Sequence, residues 1–229
     1  MDISLRLFGT RVIVQPWFWI SLALIGWPYF TVGGASLLLL WVLAGSISIL
    51  LHEFGHVWVG RAFGSEGTIV LQAFGGVAIG SANFTSAWKR IAVTAAGPSI
   101  QLLLFGILWL LREFFPDFLG GLPTEANQFL GFLLFINLYW ALLNLLPVFP
   151  LDGGQITCDL LGFFFKQNGR RLGHALSMVI AGALALYFIS GLGNMLFGIF
   201  LGMYAVINFQ TLQALKEDNQ TPDEYPWNN

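Results

Sequence analysis

The chain has 229 residues, of which 56% are hydrophobic and only 10% charged, with a formal net charge of -2. Ordinary globular domains carry about 25% charged residues, so this composition excludes a soluble domain and implies an integral membrane protein. The chain has no basic run of the kind a nucleic-acid partner needs, and its single cysteine, Cys158, excludes an internal disulfide.

The N-terminus lacks an apolar signal core ahead of a small-residue cleavage site, so insertion is expected to be driven by the spans themselves. Residues Ile3 to Gln15 alternate loosely around Gly9-Thr10, which predicts a short hairpin at the membrane surface. Pro16 opens an apolar stretch flanked by Trp17, Trp19, Trp27 and Tyr29 in the manner of an interfacial belt. It predicts a first span over 17–33, and a second follows over 35–60, with Gly45, Ser46, Ser48, Gly55 and Gly60 letting neighbours come close. Between the second and third spans, Thr68–Gln72 and Val77–Ile79 are β-prone and separated by Ala73-Phe74-Gly75-Gly76. This reads either as a hairpin dipping toward the membrane, where irregular backbone must be buried in protein or line a wet cavity, or as a plain cytoplasmic hairpin.

A third span is expected over 90–111, with Pro98 kinking or breaking it, and a fourth over 128–146. Pro147, Pro150, Gly153 and Gly154 should stop that helix and hold the chain irregular around Asp152. Two more spans, 172–190 and 192–209, complete a polytopic, all-α six-helix transmembrane bundle with two short β-hairpins. Residues 1–212 form one domain, and 213–229 a polar cytoplasmic tail expected to be disordered. With both termini in the cytoplasm, every Lys and Arg but Arg112 falls inside, as the positive-inside rule requires. The cell membrane is the expected location.

The chemistry concentrates in Leu50-Leu51-His52-Glu53-Phe54-Gly55-His56, inside the second span. Residues four apart share a helix face, so His52 and His56 can aim two imidazoles at one metal ion, with Glu53 beside them to handle protons. A carboxylate at mid-span costs about 2.5–3.5 kcal/mol on insertion scales, which demands a compensating partner. The same topology puts Asp152 at a depth comparable with the two histidines, as the natural third ligand. Two histidines, one carboxylate and a water make the open zinc site of a catalyst rather than the closed site of a structural ion. His174 is expected to snorkel at the start of the fifth span, and Cys158 to serve packing. At such a site zinc lowers the pKa of its water to about 7. Glu53 would act as general base and pass the proton to the leaving amine, which is peptide hydrolysis. The competing reading is a non-proteolytic membrane protein that binds or carries a divalent metal; a scaffold with a vestigial site is a third.

His52-Glu53-Phe54-Gly55-His56, with Asn144-x-x-Pro147-x-x-Pro150-Leu151-Asp152-Gly153-Gly154, resembles the site-2 protease family of intramembrane metalloproteases. Ala95-Ala96-Gly97-Pro98 and the Gly75-Gly76 hairpin resemble it too, so the likeness covers most of residues 3–210. The resemblance implies one zinc held by His52, His56 and Asp152, Glu53 as general base, and Asn144 near the reacting carbonyl; an Asn that caps the broken helix end is the structural alternative. It implies membrane-spanning protein substrates, often trimmed beforehand by another protease, and a short form without PDZ or CBS modules. The sequence departs from the family at Gln101, where an Asn is common. A substrate drawn out of its helix could add as a strand to an edge around Val70–Gln72 or Val77–Ile79.

Overall fold

The structure is a computed structural model that describes residues 2–191 and 193–218. Its contacts divide the chain into two units, Met1–Asn144 and Leu145–Asn229, each of which is built around its own helices.

The first unit begins with β1 (Ile3–Leu7) and β2 (Thr10–Val14), joined by Phe8-Gly9. Both turn residues have positive φ (48° and 74°), the mirror-image turn that matches strand twist. Arg61 holds this hairpin from the end of a later helix, donating to the Phe8 carbonyl at 2.9 Å and to the Thr10 hydroxyl at 2.7 Å. A second hairpin, β3 (Thr68–Gln72) and β4 (Gly75–Ile79), lies parallel beside the first, so the sheet order is β1-β2-β3-β4. An isolated two-stranded hairpin is marginal, and joining the two leaves only β1 and β4 as edges. β3 is paired on both sides, so the expected docking edge at Val70–Gln72 is closed; only the β4 side remains.

The sheet's inner face meets α1 (Pro16–Ile25) and α2 (Trp27–Ala62). Val12, Val14, Ile69 and Leu71 pack with Phe18, Leu22, Ile49, Phe54 and Val57 into one core cluster. The expected first span is broken: Gly26 separates α1 from α2, and Gly34 (φ 67°, ψ -160°) interrupts α2. At these breaks the chain folds back on itself. The Trp41 indole donates to the Leu22 carbonyl at 3.0 Å, and a Cβ on Gly26 would stand 2.3 Å from Trp41. Glycine is what lets the two arms touch.

Helix α3 (Ala87–Phe114) runs unbroken through Pro98, which forgoes only the bond to the Thr94 carbonyl. A five-residue α4 (Pro116–Gly120) and α5 (Thr124–Asn144) complete the unit. Trp41 and Ala44 of α2 pack with Phe132, Leu133 and Ile136 of α5.

In the second unit, α6 (Asp152–Phe165) precedes α7 (Gln167–Leu186), which passes through a π-helical turn to Gly191, and α8 (Met195–Asp218). The expectation of irregular chain around Asp152 is corrected here. The irregular stretch ends at Leu151, and Asp152 opens a helix whose dipole favours a carboxylate in its first turn. Gly153 and Gly154 are not breakers; a Cβ on either would fall 2.2 Å from the Leu145 carbonyl oxygen or 2.1 Å from the Phe149 nitrogen. They let the first turn of α6 lie against its own incoming loop. α8 continues to Asp218, past the start of the expected tail, while Leu192 and residues 219–229 lie outside the described residues.

Among the described residues, five helices are long and apolar enough to cross a membrane, and Pro16–Ile25 is a shorter apolar helix. The expected first span over 17–33 is the one divided at Gly26, between this short helix and the start of α2.

Candidate active site

In the first unit, His52, Glu53 and His56 are 3%, 4% and 7% exposed, on the stretch of α2 that meets α3. The crossing there is tight. A Cβ on Gly55 would stand 2.6 Å from the Ala96 carbonyl oxygen, and one on Gly97 would stand 2.3 Å from His56 Nε2 and 2.9 Å from His52 Cε1. Glycine at 97 therefore leaves the volume that both imidazoles occupy.

Both rings have a hydrogen-bond partner on the side away from each other. His56 Nδ1 lies 2.8 Å from the Val93 carbonyl, which can only accept, so Nδ1 carries the hydrogen. His52 Nδ1 lies 2.9 Å from Gln101 Oε1. The two Nε2 atoms face each other at 3.1 Å. Glu53 is beside β4, where a Cβ on Gly76 would fall 2.6 Å from its side chain. A residue with any side chain at position 76 would crowd the carboxylate.

Asn144 is the last residue of α5, half-buried, and its Nδ2 donates to the Trp140 carbonyl at 3.0 Å, one turn back. This bond uses one of its two amide hydrogens.

In the second unit, Asp152 is 7% exposed at the first position of α6. The loop before it is fixed from three helices. Gln155 of α6 donates to the Pro150 carbonyl at 2.9 Å, and the Ser177 hydroxyl of α7 accepts from the Phe149 N–H at 3.0 Å. Asn208 of α8 donates to the Phe149 carbonyl at 2.6 Å, and its Oδ1 takes His174 Nδ1 at 2.8 Å. His174 is thus buried and bonded rather than snorkelling; Asn208, polar in an apolar helix, supplied the only sequence hint of that. Cys158 is buried against Gly173. Burial, reinforced by the neighbouring Asp159 carboxylate and only partly opposed by Arg170, pushes its thiol up to about 11, so it is not a thiolate at neutral pH.

Residues 122–188 match the sequence model of peptidase family M50. The protein sll0528 of Synechocystis sp. is 37% identical over 115 residues, which cover 50% of this chain and 29% of that protein. The zinc metalloprotease MJ0392 of Methanocaldococcus jannaschii is 32% identical over 116 residues, covering 50% of this chain and 32% of that one. Over these stretches the chain is similar to peptidase family M50, the family of the site-2 proteases. It is a multi-pass membrane protein. A solved site-2 protease from Methanocaldococcus jannaschii shares its fold, with a TM-score of 0.59, 20% identity and full coverage of both chains. The chain spans about a third of the length of the curated relatives named above.

The metal in those relatives' names is zinc, and His52 and His56 fit it. Two ligands on a tetrahedral zinc with bonds of 2.0–2.1 Å stand about 3.3 Å apart. The 3.1 Å between the two Nε2 atoms is close to that edge, and the cradle at Gly97 leaves the rings room to hold it.

Proposed function

We propose that the chain is an intramembrane zinc metalloprotease that hydrolyses peptide bonds in or near membrane-spanning segments of other proteins. The observation that carries this reading is the buried pair of imidazoles facing each other at 3.1 Å with a buried glutamate one residue along the same helix. A site that only stores a metal has no need of a base at that position.

In this reading His52 and His56 hold the ion through Nε2, and Asp152 is the third ligand. Zinc, when bound, supplies Lewis acidity and makes a water acidic enough to lose a proton near neutral pH. Glu53 accepts a proton from the attacking water on its carboxylate and returns it to the nitrogen of the departing amine. Asn144 has a second amide hydrogen to offer the reacting carbonyl. Residues 17–33, though broken at Gly26, make the first of six crossings, with both termini in the cytoplasm. His56 then lies five residues, about 7–8 Å at 1.5 Å per residue, from the cytoplasmic end of its helix at Arg61.

A helical peptide bond is shielded, so the substrate is received extended, as a strand added to β4. The register says which β4 groups face outward. Leu71 gives its carbonyl to the Gln15 N–H at 2.9 Å, on the side away from β4, so its partner Gly76 points its polar groups to the edge. By the alternation of an antiparallel ladder, Ala78 turns its N–H to the same edge, while its carbonyl accepts from the Ser81 hydroxyl at 2.7 Å.

The purified chain in detergent should cleave a single-span model substrate, lose that activity to a zinc chelator and regain it on adding zinc. Cleavage that ignores the chelator, or a zinc-loaded chain that cleaves no single-span substrate, would refute the reading. Ala78→Pro removes an outward N–H without touching the β3 ladder. It should lower cleavage roughly tenfold, the equivalent of a hydrogen bond of about 1.4 kcal/mol, while zinc binding stays unchanged. Unaltered cleavage would eliminate strand addition at β4.

A further inference from the structure

Gln101 is fully buried on α3. Its amide spans two groups on α2. Nε2 donates to the Ser48 backbone carbonyl at 3.2 Å, and Oε1 lies 2.9 Å from His52 Nδ1. Ser48 is one helical turn before His52, and its hydroxyl takes a hydrogen bond from Asn137 Nδ2 of α5 at 2.9 Å.

The orientation of this amide follows from chemistry. A backbone carbonyl only accepts, so the NH2 of Gln101 must face Ser48 and its carbonyl must face His52. His52 Nδ1 must then carry the hydrogen, and the lone pair is left on Nε2, the nitrogen that faces His56. Val93 imposes the same tautomer on His56 through its carbonyl. The two rings thus reach one state by different means, one through backbone and one through a side chain that can be changed.

We infer that Gln101 is a positioning residue that locks His52 in the tautomer and ring orientation needed to bind a metal through Nε2. This rests on the zinc-site reading above. Length matters to the role. An amide one methylene shorter on the same helix falls short of at least one of the two α2 groups that Gln101 bridges 2.9 Å and 3.2 Å away. Outer partners of metal-binding histidines typically account for about 10–100-fold in affinity.

The experiment measures zinc affinity by competition with a chromophoric chelator, on detergent-purified full chains checked for monodispersity. The wild type, Gln101→Met and Gln101→Glu are compared. Methionine keeps the volume and removes the acceptor; glutamate keeps an oxygen for His52 Nδ1 but places a carboxylate in a buried site. A positioning role predicts that Q101M loses at least tenfold in affinity and that Q101E stays within about threefold of wild type. A role in packing alone predicts the opposite order, with the apolar isostere neutral and the buried carboxylate harmful. Q101M with wild-type affinity, or Q101E at least tenfold weaker, overturns the inference. If Q101M is not monodisperse, the Q101E value alone decides by the same limits. A wild-type chain that binds no zinc overturns the metal-site reading instead, so the two failures are distinguishable.

Discussion

Glu53→Gln is expected to abolish cleavage and leave zinc bound. The substitution is isosteric, which matters because Glu53 is only 4% exposed and lies against the backbone of β4 at Gly76. Glutamine fills the same space but cannot accept a proton at neutral pH. General acid–base groups contribute about 10²–10⁴-fold, and the loss should fall in that range or beyond detection. The metal-binding atoms are untouched: His52 and His56 keep their partners Gln101 and Val93, so zinc content by elemental analysis should match wild type. Retained turnover would refute Glu53 as the general base of peptide hydrolysis.

The parts of this site legible in the sequence are those with a fixed local spacing. Two histidines four residues apart on a helix must share a face, whatever surrounds them. The two hairpins were legible for the same reason, since Gly9 and Gly75 mark turns between short β-prone runs. Non-local relations were not legible. Val12 pairs with Ile69 across more than fifty residues, and no local pattern foretells that two hairpins will become one sheet. Nor could Gln101 be connected to His52 before the α2–α3 crossing was known. Gly55 and Gly97 were the available clue, since small residues on two spans mark where backbones approach. Gly153-Gly154 misled for a related reason. Glycine is read as a breaker when it supplies positive φ, but here neither has it, and both are needed for close approach.

Close approach also yields the second large effect. Gly97→Ala should nearly eliminate zinc binding in a chain that still folds. Alanine is the better helix former by about 1 kcal/mol, so on propensity alone the change would stabilise α3. Against that, the added Cβ would stand 2.3 Å from His56 Nε2 and 2.5 Å from its Cε1, and 2.9 Å from His52 Cε1. Contacts that short force the rings or the helix to move. The rings are poorly able to yield, because His56 is held to the Val93 carbonyl and His52 to Gln101, both on the same α3 that carries the new methyl. Productive metal geometry tolerates displacements of about 0.5 Å, less than relief of the collision requires. Affinity should therefore fall at least as far as the roughly 100-fold upper limit for loss of an outer partner, and cleavage with it. Gly106→Ala is the matched control: it lies on the same helix, nothing stands within 4 Å of its added Cβ, and it should leave zinc affinity and cleavage unchanged. If Gly97→Ala binds zinc like wild type while Gly106→Ala does too, the α2–α3 crossing is looser than these contacts require, and Gly97 is not what makes room for the metal-binding rings.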